Sequence, residues 1–334
     1  MSNSGTSWNL IGDIGGTNMR LAKVEQATIT DQKRYPTTGD MHIEEAISDF
    51  VARSGSSPAH AGVAAAGVIA DGAVKLTNAG KIFSEQQILK ASGSQTARII
   101  NDFEAAAWSL VTAHPNDLIA LQGDLPSIPE SNPAPTGTRL IVGPGTGLGV
   151  GSQIWAGNRP HVLQGEGGHI RIAPENHDDI ELFKRLADLW PEVQMGSGLA
   201  LEAEAIVSGT GIPVVMRALE ELHGKPISGT KAAEIFANAK ENSSSLAAIV
   251  IDRFCHYLGA VSGDLALALT AEGGIFLSGG VLQANDWIFE KPTFMKAFNE
   301  GGRHTKFRKE FPVYLYRNKN FGLLGTINAL EFCR

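Results

Sequence analysis

Hydrophobic and polar positions alternate at the start of the chain and predict strands. Residues 10–24, LIGDIGGTNMRLAKV, place an apolar run before a pair of glycines and an apolar/polar alternation after it, which is typical of a β-hairpin. Helical periodicity is interleaved with such runs through the first hundred residues. The patterns predict strands at 8–14, 18–24, 61–66 and 97–101, and helices at 42–53, 84–91 and 102–113. This alternation predicts an α/β fold.

The hairpin pattern returns after a proline-rich stretch. Residues 126–137, PSIPESNPAPTG, contain four prolines and predict a surface loop. From Arg139, RLIVGPGTGLGVGSQIWAG again has a strand, a glycine turn and a second strand, which predicts one plan for both halves. Further patterns predict helices at 180–190, 212–223, 230–238, 241–269 and 321–332, and strands at 273–280 and 311–316.

Composition narrows the class of protein. The 334 residues, 43% hydrophobic and 19% charged, have the length of about two ordinary domains. The 28 basic and 35 acidic residues give a formal net charge of −7, which disfavours nucleic acid and an anionic membrane as partners. The expected partner is therefore a small molecule.

Cysteines and apolar segments indicate where the protein works. Cys255 and Cys333 are too few for a disulfide framework or a four-thiolate zinc site, which fits a reducing compartment. The first ten residues lack the basic and apolar regions of a secretory signal. The apolar stretch 246–269 is interrupted by charged residues and histidine, which predicts a core helix and no membrane span. We expect a soluble cytoplasmic protein.

Two glycine turns are candidates for phosphate binding. Backbone N–H groups in such turns can surround a phosphate without obstruction by side chains, and each turn adds a threonine hydroxyl. The residues are Gly15, Gly16 and Thr17 in the first half and Gly145, Thr146 and Gly147 in the second. The alternative for each is a tight hairpin that needs glycine for a positive φ. Neither matches the dinucleotide-binding glycine spacing or the Gly-Lys-Ser/Thr of a P-loop.

A carboxylate, Asp13, precedes the first glycine turn. Beside bound phosphate it would repel the ligand unless a cation lay between them. Mg²⁺ takes one or two protein carboxylates together with phosphate oxygens, so Asp13 is a candidate for facing a magnesium ion. The alternative is that Asp13 hydrogen-bonds the amides of its own turn.

Asp102 lies where a predicted strand ends and a helix begins. Ligands of open α/β sheets bind at the carboxyl ends of strands. One role for Asp102 is to stabilise the helix as its N-cap or first-turn acid. The other is catalytic, because a carboxylate held ionised by the helix N-terminus can accept a proton from a substrate hydroxyl.

The segment 164–174, QGEGGHIRIAP, places Glu166 and His169 around two glycines. A metal pair is disfavoured because no established ligand spacing is present. A carboxylate and an imidazole also suit the neighbouring hydroxyls of a sugar, which require donors and acceptors in fixed directions. Glu204, in LEAEAIVSG, lies on a predicted helix face where a solvated charge is expected.

Five motifs together resemble one family. DIGGTNMR, NDFEAAA, GPGTGLGVG, GEGGH and LSGGV follow one another between residues 9 and 328, and in this order they resemble the bacterial glucokinases of the hexokinase–actin superfamily. The resemblance implies two α/β domains of ribonuclease-H-like, actin-like ATPase topology with a central cleft. It implies a small domain formed by 1–110 and 320–334, and a large domain formed by 111–319.

The resemblance also implies an activity, ATP- and Mg²⁺-dependent phosphorylation of glucose at its 6-hydroxyl, with Asp102 as general base, in a homodimer. The residues it implies for the sugar are Asn78, Asn101, Asp102, Glu166, His169 and Glu204. Those it implies for ATP are Asp13, Gly15, Gly16, Thr17, Gly145, Thr146, Gly147, Gly279 and Gly280, with Asp13 facing Mg²⁺ through water.

One stretch departs from the family pattern and keeps alternatives open. A sugar-side loop that commonly has Thr-Asn-His-Thr-Trp is TNAGK here, residues 77–81, so a kinase of another hexose or an amino sugar is an alternative. The phosphoryl donor could also be ADP or polyphosphate. A regulator that binds sugar or ATP without turnover is a third alternative. Transcriptional repressors of the superfamily carry an N-terminal helix-turn-helix, for which the predicted strand near residue 9 leaves no room.

Overall fold

The computed structural model describes residues 7–76, 80–126 and 136–333. Their strands are β1 (Asn9–Ile14), β2 (Asn18–Glu25), β3 (Thr28–Pro36), β4 (His60–Ala65), β5 (Gly67–Ala70), β6 (Ala73–Leu76), β7 (Ile82–Ser84), β8 (Thr96–Asn101), β9 (Leu118–Gln122), β10 (Arg139–Pro144), β11 (Leu148–Ala156), β12 (Arg159–Leu163), β13 (Arg171–Ile172), β14 (Leu201–Glu202), β15 (Gly274–Leu277) and β16 (Val313–Tyr316). Their α-helices are α1 (Ile43–Ser54), α2 (Glu85–Ser92), α3 (Asp102–Ser109), α4 (His177–Leu189), α5 (Gly211–Leu222), α6 (Ala232–Glu241), α7 (Leu246–Leu269), α8 (Gly280–Ala284), α9 (Thr293–Asn299), α10 (Thr305–Arg308) and α11 (Phe321–Phe332).

The chain divides into two compact units. The first unit comprises Met1–Ala113, Ala156–Leu163 and Asn318–Arg334, and the second comprises His114–Trp155 and Gln164–Arg317. The predicted division placed 156–163 in the large domain, whereas in the structure these residues group with the first unit. Residues of β12 group with the first unit because Val162 packs against the cluster that contains Trp108.

The central strand of the first unit is β1, in a sheet of order β3-β2-β1-β4-β8. It pairs antiparallel with β2 and parallel with β4, which pairs parallel with β8. Successive side chains of β1 enter opposite cores: Leu10 packs in the cluster that contains Phe50 of α1, and Ile11 packs against Leu323 of α11. Burial on both faces explains the continuous apolar run that opens the sequence.

The second unit repeats these strand pairings. Strand β10 pairs antiparallel with β11 and parallel with β15, and β15 pairs parallel with β16. Strand β9 adds to the far side of β16 in antiparallel orientation. The shared plan predicted from the two glycine hairpins is therefore confirmed.

The long apolar helix α7 is the core helix of the second unit, as predicted. By length and composition it could cross a membrane, but 72% of its most apolar window is buried inside the protein. Phe254 contacts Phe236 of α6 edge to face, and both belong to the same buried cluster as Phe294 of α9. The helix begins at Leu246, five residues after the predicted start, because the Ser245 side chain accepts the Ala248 N–H as N-cap.

Several elements differ from the sequence prediction. The predicted helix 102–113 ends at Ser109 and continues as a 3₁₀ turn, Leu110–Thr112. Strand β3 was not predicted because most of its side chains are exposed and polar. The small antiparallel sheet β5-β6-β7 was also missed. Most of the predicted loop 126–137 lies outside the described residues.

Candidate active site

The glycines of the two predicted phosphate turns do not adopt left-handed backbone. Gly15, Gly145 and Gly147 all lack a φ in the positive region, so the expected need for glycine at a positive φ is wrong for them, although both hairpins form. A Cβ at Gly145 would meet nothing within 4 Å, and one at Gly15 would meet only the Asn18 carbonyl oxygen at 3.5 Å. Glycine at these two positions therefore keeps open space in front of the turn, as a bound phosphate requires.

Asp13 is ion-paired across the first hairpin. Its carboxylate accepts from Arg20, the residue directly opposite on β2. Arg20 also donates to the Lys319 carbonyl at 3.1 Å and to Asn320 Oδ1 at 3.0 Å, just before α11. A Cβ at Gly322 would lie 2.9 Å from the Asp13 carboxylate, so glycine leaves room for it there. The alternative that Asp13 bonds its own turn is replaced by this ion pair.

The carboxylate of Asp13 is also the feature that could face a metal. Its side chain is 22% exposed, and it directly precedes the first turn. Within residues 7–76, 80–126 and 136–333, no group of three or more His, Cys, Asp or Glu side chains could hold a metal ion. A single carboxylate beside a phosphate turn is the protein ligand that Mg²⁺ takes when phosphate oxygens and water supply its other ligands.

Asp102 is the first residue of α3, and Asn101 is its N-cap. Asn101 Oδ1 accepts the N–H groups of Phe103 at 2.8 Å and Glu104 at 3.3 Å, so the proposed N-cap role of Asp102 is wrong. Asn101 Nδ2 donates to the Gly67 carbonyl at 3.4 Å. Both polar side-chain atoms of Asn101, a residue predicted to bind the sugar, are therefore hydrogen-bonded within the protein. Asp102 is half-buried in the first helical turn, where the helix dipole favours a carboxylate.

Asp102 and the first glycine turn lie at the same edge of the sheet. The last residues of three parallel strands are aligned, because Ile14 is paired with Ala65 and Ala65 with Asn101. Strands β1 and β8 are thus two positions apart, or about 10 Å at the usual strand spacing. The first unit therefore brings a carboxylate and a candidate phosphate turn to the carboxyl ends of its strands, where open α/β sheets bind ligands.

The second glycine turn is held from behind by a following loop. The Gly209 N–H donates to the Gly145 carbonyl at 2.8 Å, and the Thr210 N–H and hydroxyl donate to the Thr146 carbonyl at 3.1 and 2.9 Å. These bonds use only carbonyl groups of the turn. The Thr146 side chain is exposed on its surface.

The sequence predicted that Glu204 lies on a solvated helix face, and this prediction is wrong. Glu204 follows β14 in a 3₁₀ turn, Ala203–Ala205, and its Oε2 accepts the Leu148 N–H at 2.8 Å. A Cβ at Gly147 would clash with the same carboxylate, so glycine is needed there for this approach. Glu204 therefore supports the second glycine turn directly, a contact the sequence did not indicate.

His169 is surrounded by carboxylates. Its Nδ1 lies 2.8 Å from Glu202 Oε2, and its Nε2 lies 4.0 Å from Glu166 Oε2. The hydrogen bond to Glu202 raises the pKa of His169; burial opposes this shift, and the negative charges of Glu202, Glu204 and Glu166 reinforce it. Sequence analysis missed Glu202, because only the pairing of β13 with β14 brings it to the histidine.

Comparison with known proteins identifies the family. The family model described as Glucokinase matches residues 10–331. The chain belongs to the glucokinase family. The glucokinase of Caulobacter sp. (strain K31) is 33% identical over 326 residues, which cover 96% of this chain and 94% of that protein.

Solved structures of glucokinases share the fold. A glucokinase from an Antarctic psychrotroph is 28% identical, with a TM-score of 0.80 over 98% of this chain and 99% of that chain. A ROK family glucokinase from Streptomyces griseus, in complex with glucose and AMPPNP, is 20% identical, with a TM-score of 0.61 over 96% and 98% of the two chains. The predicted fold class, the α/β fold of the actin-like ATPases, is confirmed by these matches.

The remaining glucokinase motif, LSGGV, lies beside the second glycine turn. Gly279 has a φ of 95° and is the N-cap of α8. A Cβ there would press on the carbonyl of Pro144, the residue before the turn, so only glycine fits. Nothing lies within 4 Å of a Cβ at Gly280. The second unit thus brings Gly145, Glu204 and Gly279 into one neighbourhood.

The loop that departs from the glucokinase pattern is anchored by its lysine. Asn78 lies outside the described residues. Lys81 Nζ donates to the carbonyls of Gly39 at 3.1 Å and Met41 at 2.6 Å. This end of the loop is therefore fixed to the segment before α1 by the charge of a lysine, where the family commonly has tryptophan.

Proposed function

We propose that this chain transfers the γ-phosphoryl group of ATP to the 6-hydroxyl of D-glucose, with Asp102 as general base. The observation that carries the proposal is the position of Asp102 at the start of α3, at the same sheet edge as the first glycine turn. Asn101 provides the helix cap, so the contribution of Asp102 to the helix is that of a first-turn acid. Membership of the glucokinase family supports glucose as the substrate.

The nucleotide would be held by the glycine-rich segments. Gly15, Gly16 and Thr17 in the first unit and Gly145, Thr146 and Gly147 in the second would bind phosphates, with Gly279 and Gly280 next to the adenosine. Open space before Gly15 and Gly145 supports this assignment. AMPPNP, an ATP analogue, is bound in the Streptomyces griseus structure, which supports ATP as the donor.

Asp13 would face Mg²⁺ through water. When bound, the ion neutralises phosphate charge and orients the phosphoryl group for transfer. Arg20 would fix the direction of the Asp13 carboxylate, since their ion pair spans the hairpin that leads into the turn.

The sugar would be bound by Asn78, Asn101, Asp102, Glu166, His169 and Glu204. Glu166 and His169 have 82% and 48% of their side chains exposed, which leaves polar atoms accessible to hydroxyl groups. The second oxygen of Glu204 can also serve a hydroxyl while Oε2 holds the Leu148 N–H. For Asn101, sugar binding would have to coexist with its capping bonds.

In the proposed reaction, the 6-hydroxyl oxygen attacks the γ-phosphorus as its proton passes to the Asp102 carboxylate. The new bond joins that oxygen to phosphorus, and the bond between phosphorus and the bridging oxygen breaks, so the electron pair leaves with ADP. The protein contributes position and charge stabilisation: the turns place the donor, and Asp102 removes the proton that would otherwise remain on the product.

ADP release across a panel of sugars tests the proposed function. We expect strong turnover with glucose, and little with mannose, fructose, galactose, N-acetylglucosamine, N-acetylmannosamine or no sugar. EDTA should abolish it, since Mg²⁺ is required. Turnover mainly on another sugar would reassign the substrate and point to the 77–81 loop. Binding of glucose and ATP with no turnover on any sugar would favour a non-catalytic regulator.

A further inference from the structure

Glu202 is the more sheltered of the two carboxylates that pair with His169. Its side chain is 26% exposed, against 82% for Glu166 on the other side of the His169 ring. Glu202 Oε2 is 2.8 Å from His169 Nδ1, a normal hydrogen-bond distance, whereas Glu166 Oε2 is 4.0 Å from Nε2. The two ring nitrogens are therefore not equivalent: Nδ1 is hydrogen-bonded to Glu202, whereas Nε2 lies beyond hydrogen-bond distance of Glu166 on a side chain that is 48% exposed.

Backbone pairing fixes Glu202 in this place. Arg171 is opposite Glu202 in the antiparallel pair β13–β14, and Ile172 is opposite Leu201. One residue further, the Ala203 N–H donates to the Ile170 carbonyl at 2.9 Å. The strand that carries Glu202 is thus bonded to the residues that directly follow His169. These backbone bonds fix the main chain at Glu202 relative to the segment that follows His169.

We propose that Glu202 is a positioning residue, which binds Nδ1–H of His169 and so presents Nε2 to a hydroxyl of the sugar. The inference rests on the proposed function, in which His169 contacts the sugar. A carboxylate that accepts from one ring nitrogen places a proton there and fixes the plane of the ring. Nε2 then accepts from a hydroxyl when the ring is neutral and donates to one when it is protonated.

The charged groups around His169 set the pH at which Nε2 changes from donor to acceptor. They are Glu202 on β14, Glu204 in the next turn and Glu166 at the start of the histidine's own turn, with Arg171 opposite Glu202 on β13. The hydrogen bond to Glu202 makes the largest contribution and raises the pKa of His169. Loss of the Glu202 charge should therefore move the change to lower pH.

The test is Glu202→Gln, which keeps the length of the side chain and an oxygen acceptor but removes the charge. The first measurement is an NMR pH titration of the protein labelled at histidine Cε1 without ligands, with the resonance assigned by His169→Gln. We expect the pKa of His169 to fall in Glu202→Gln. Glu192→Gln, an exposed glutamate on another segment of the second unit, is the matched control and should leave the pKa unchanged.

The second measurement is the pH profile of glucose phosphorylation. We expect KM for glucose to rise several-fold, because the neutral amide of glutamine binds Nδ1–H more weakly than the carboxylate and fixes the ring less firmly, while kcat changes much less. The inflection assigned to His169 should move to lower pH, and Glu202→Asp, which keeps the charge on a shorter side chain, should recover part of both effects. The Asp variant also provides the test if the Gln variant does not fold.

The two measurements separate the possible failures. An unchanged pKa of His169 in folded Glu202→Gln would overturn the coupling. A lowered pKa with unchanged KM and pH profile would overturn the positioning role, because Glu202 would then act on the ring without affecting the sugar. If wild type binds no sugar at all, the proposed function fails, while the titration still reports whether Glu202 sets the protonation of His169.

Discussion

The Asp102→Asn variant is expected to lose about 10²- to 10⁴-fold in kcat for glucose phosphorylation, the usual contribution of a general base. Asparagine keeps the Oδ1 atom that accepts the Phe103 N–H at 3.0 Å, and the Asn101 cap is untouched, so the start of α3 should be preserved. Binding of glucose and ATP should therefore change far less than turnover. The measurement is steady-state ADP release, together with calorimetric binding of glucose.

The control for this variant is Asp178→Asn. Asp178 is an exposed first-turn acid of α4, so both substitutions remove a carboxylate from a helix N-terminus, worth about 0.3–1 kcal/mol of stability. Only the Asp102 variant should lose activity. A folded Asp102→Asn enzyme that turns over at the wild-type rate would contradict the base assignment.

Gly168→Ala is expected to lower kcat/KM by about 10²-fold, the scale associated with a displacement of about 1 Å in an active site. Gly168 is buried between Glu166 and His169, and a Cβ there would overlap the Leu148 carbonyl oxygen at the start of β11. The backbone at Gly168 or at Leu148 must therefore move. The 166–169 turn and the second glycine turn should both be displaced, and the unfolding temperature should fall.

Gly165→Ala is the matched control in the same segment. A Cβ at Gly165 would meet nothing within 4 Å, and its backbone conformation is accessible to alanine. Activity and unfolding temperature should therefore stay at the wild-type values. If Gly168→Ala behaved like Gly165→Ala, the close packing of the 166–169 turn on β11 could not be what places His169.

Local patterns were enough to predict many of the elements. Helix α11 has the predicted bounds, Phe321–Phe332. Both predicted hairpins form, and each turns at its glycines. Strand β3 was missed because it is largely exposed, so that no hydrophobic alternation marks it. The grouping of β12 with the first unit was not predicted, because Val162 packs against a cluster whose residues are far from it in sequence.

The sequence named candidate site residues, whose roles stay predictions, but it did not indicate the contacts between them. Family resemblance assigned roles to Asp102 and His169, while sequence left open whether Asp102 was only a helix cap. The structure identifies Asn101 as the cap. The contacts Glu202–His169 and Glu204–Leu148 join residues 33 and 56 positions apart, so local periodicity could not reveal them. The ion pair between Arg20 and Asp13 could have been predicted from the sequence, because hairpin pairing places the two residues opposite each other.

The most direct test of the proposed reaction is to identify the product by NMR. Uniformly ¹³C-labelled glucose is incubated with ATP, Mg²⁺ and the wild-type protein, and carbon–phosphorus couplings show which hydroxyl carries phosphate. We predict that the new phosphate ester is found at C6 alone, with one ADP formed for each ester. A phosphate on another carbon, or bound glucose and ATP with no ester formed, would contradict glucose 6-phosphorylation by this chain.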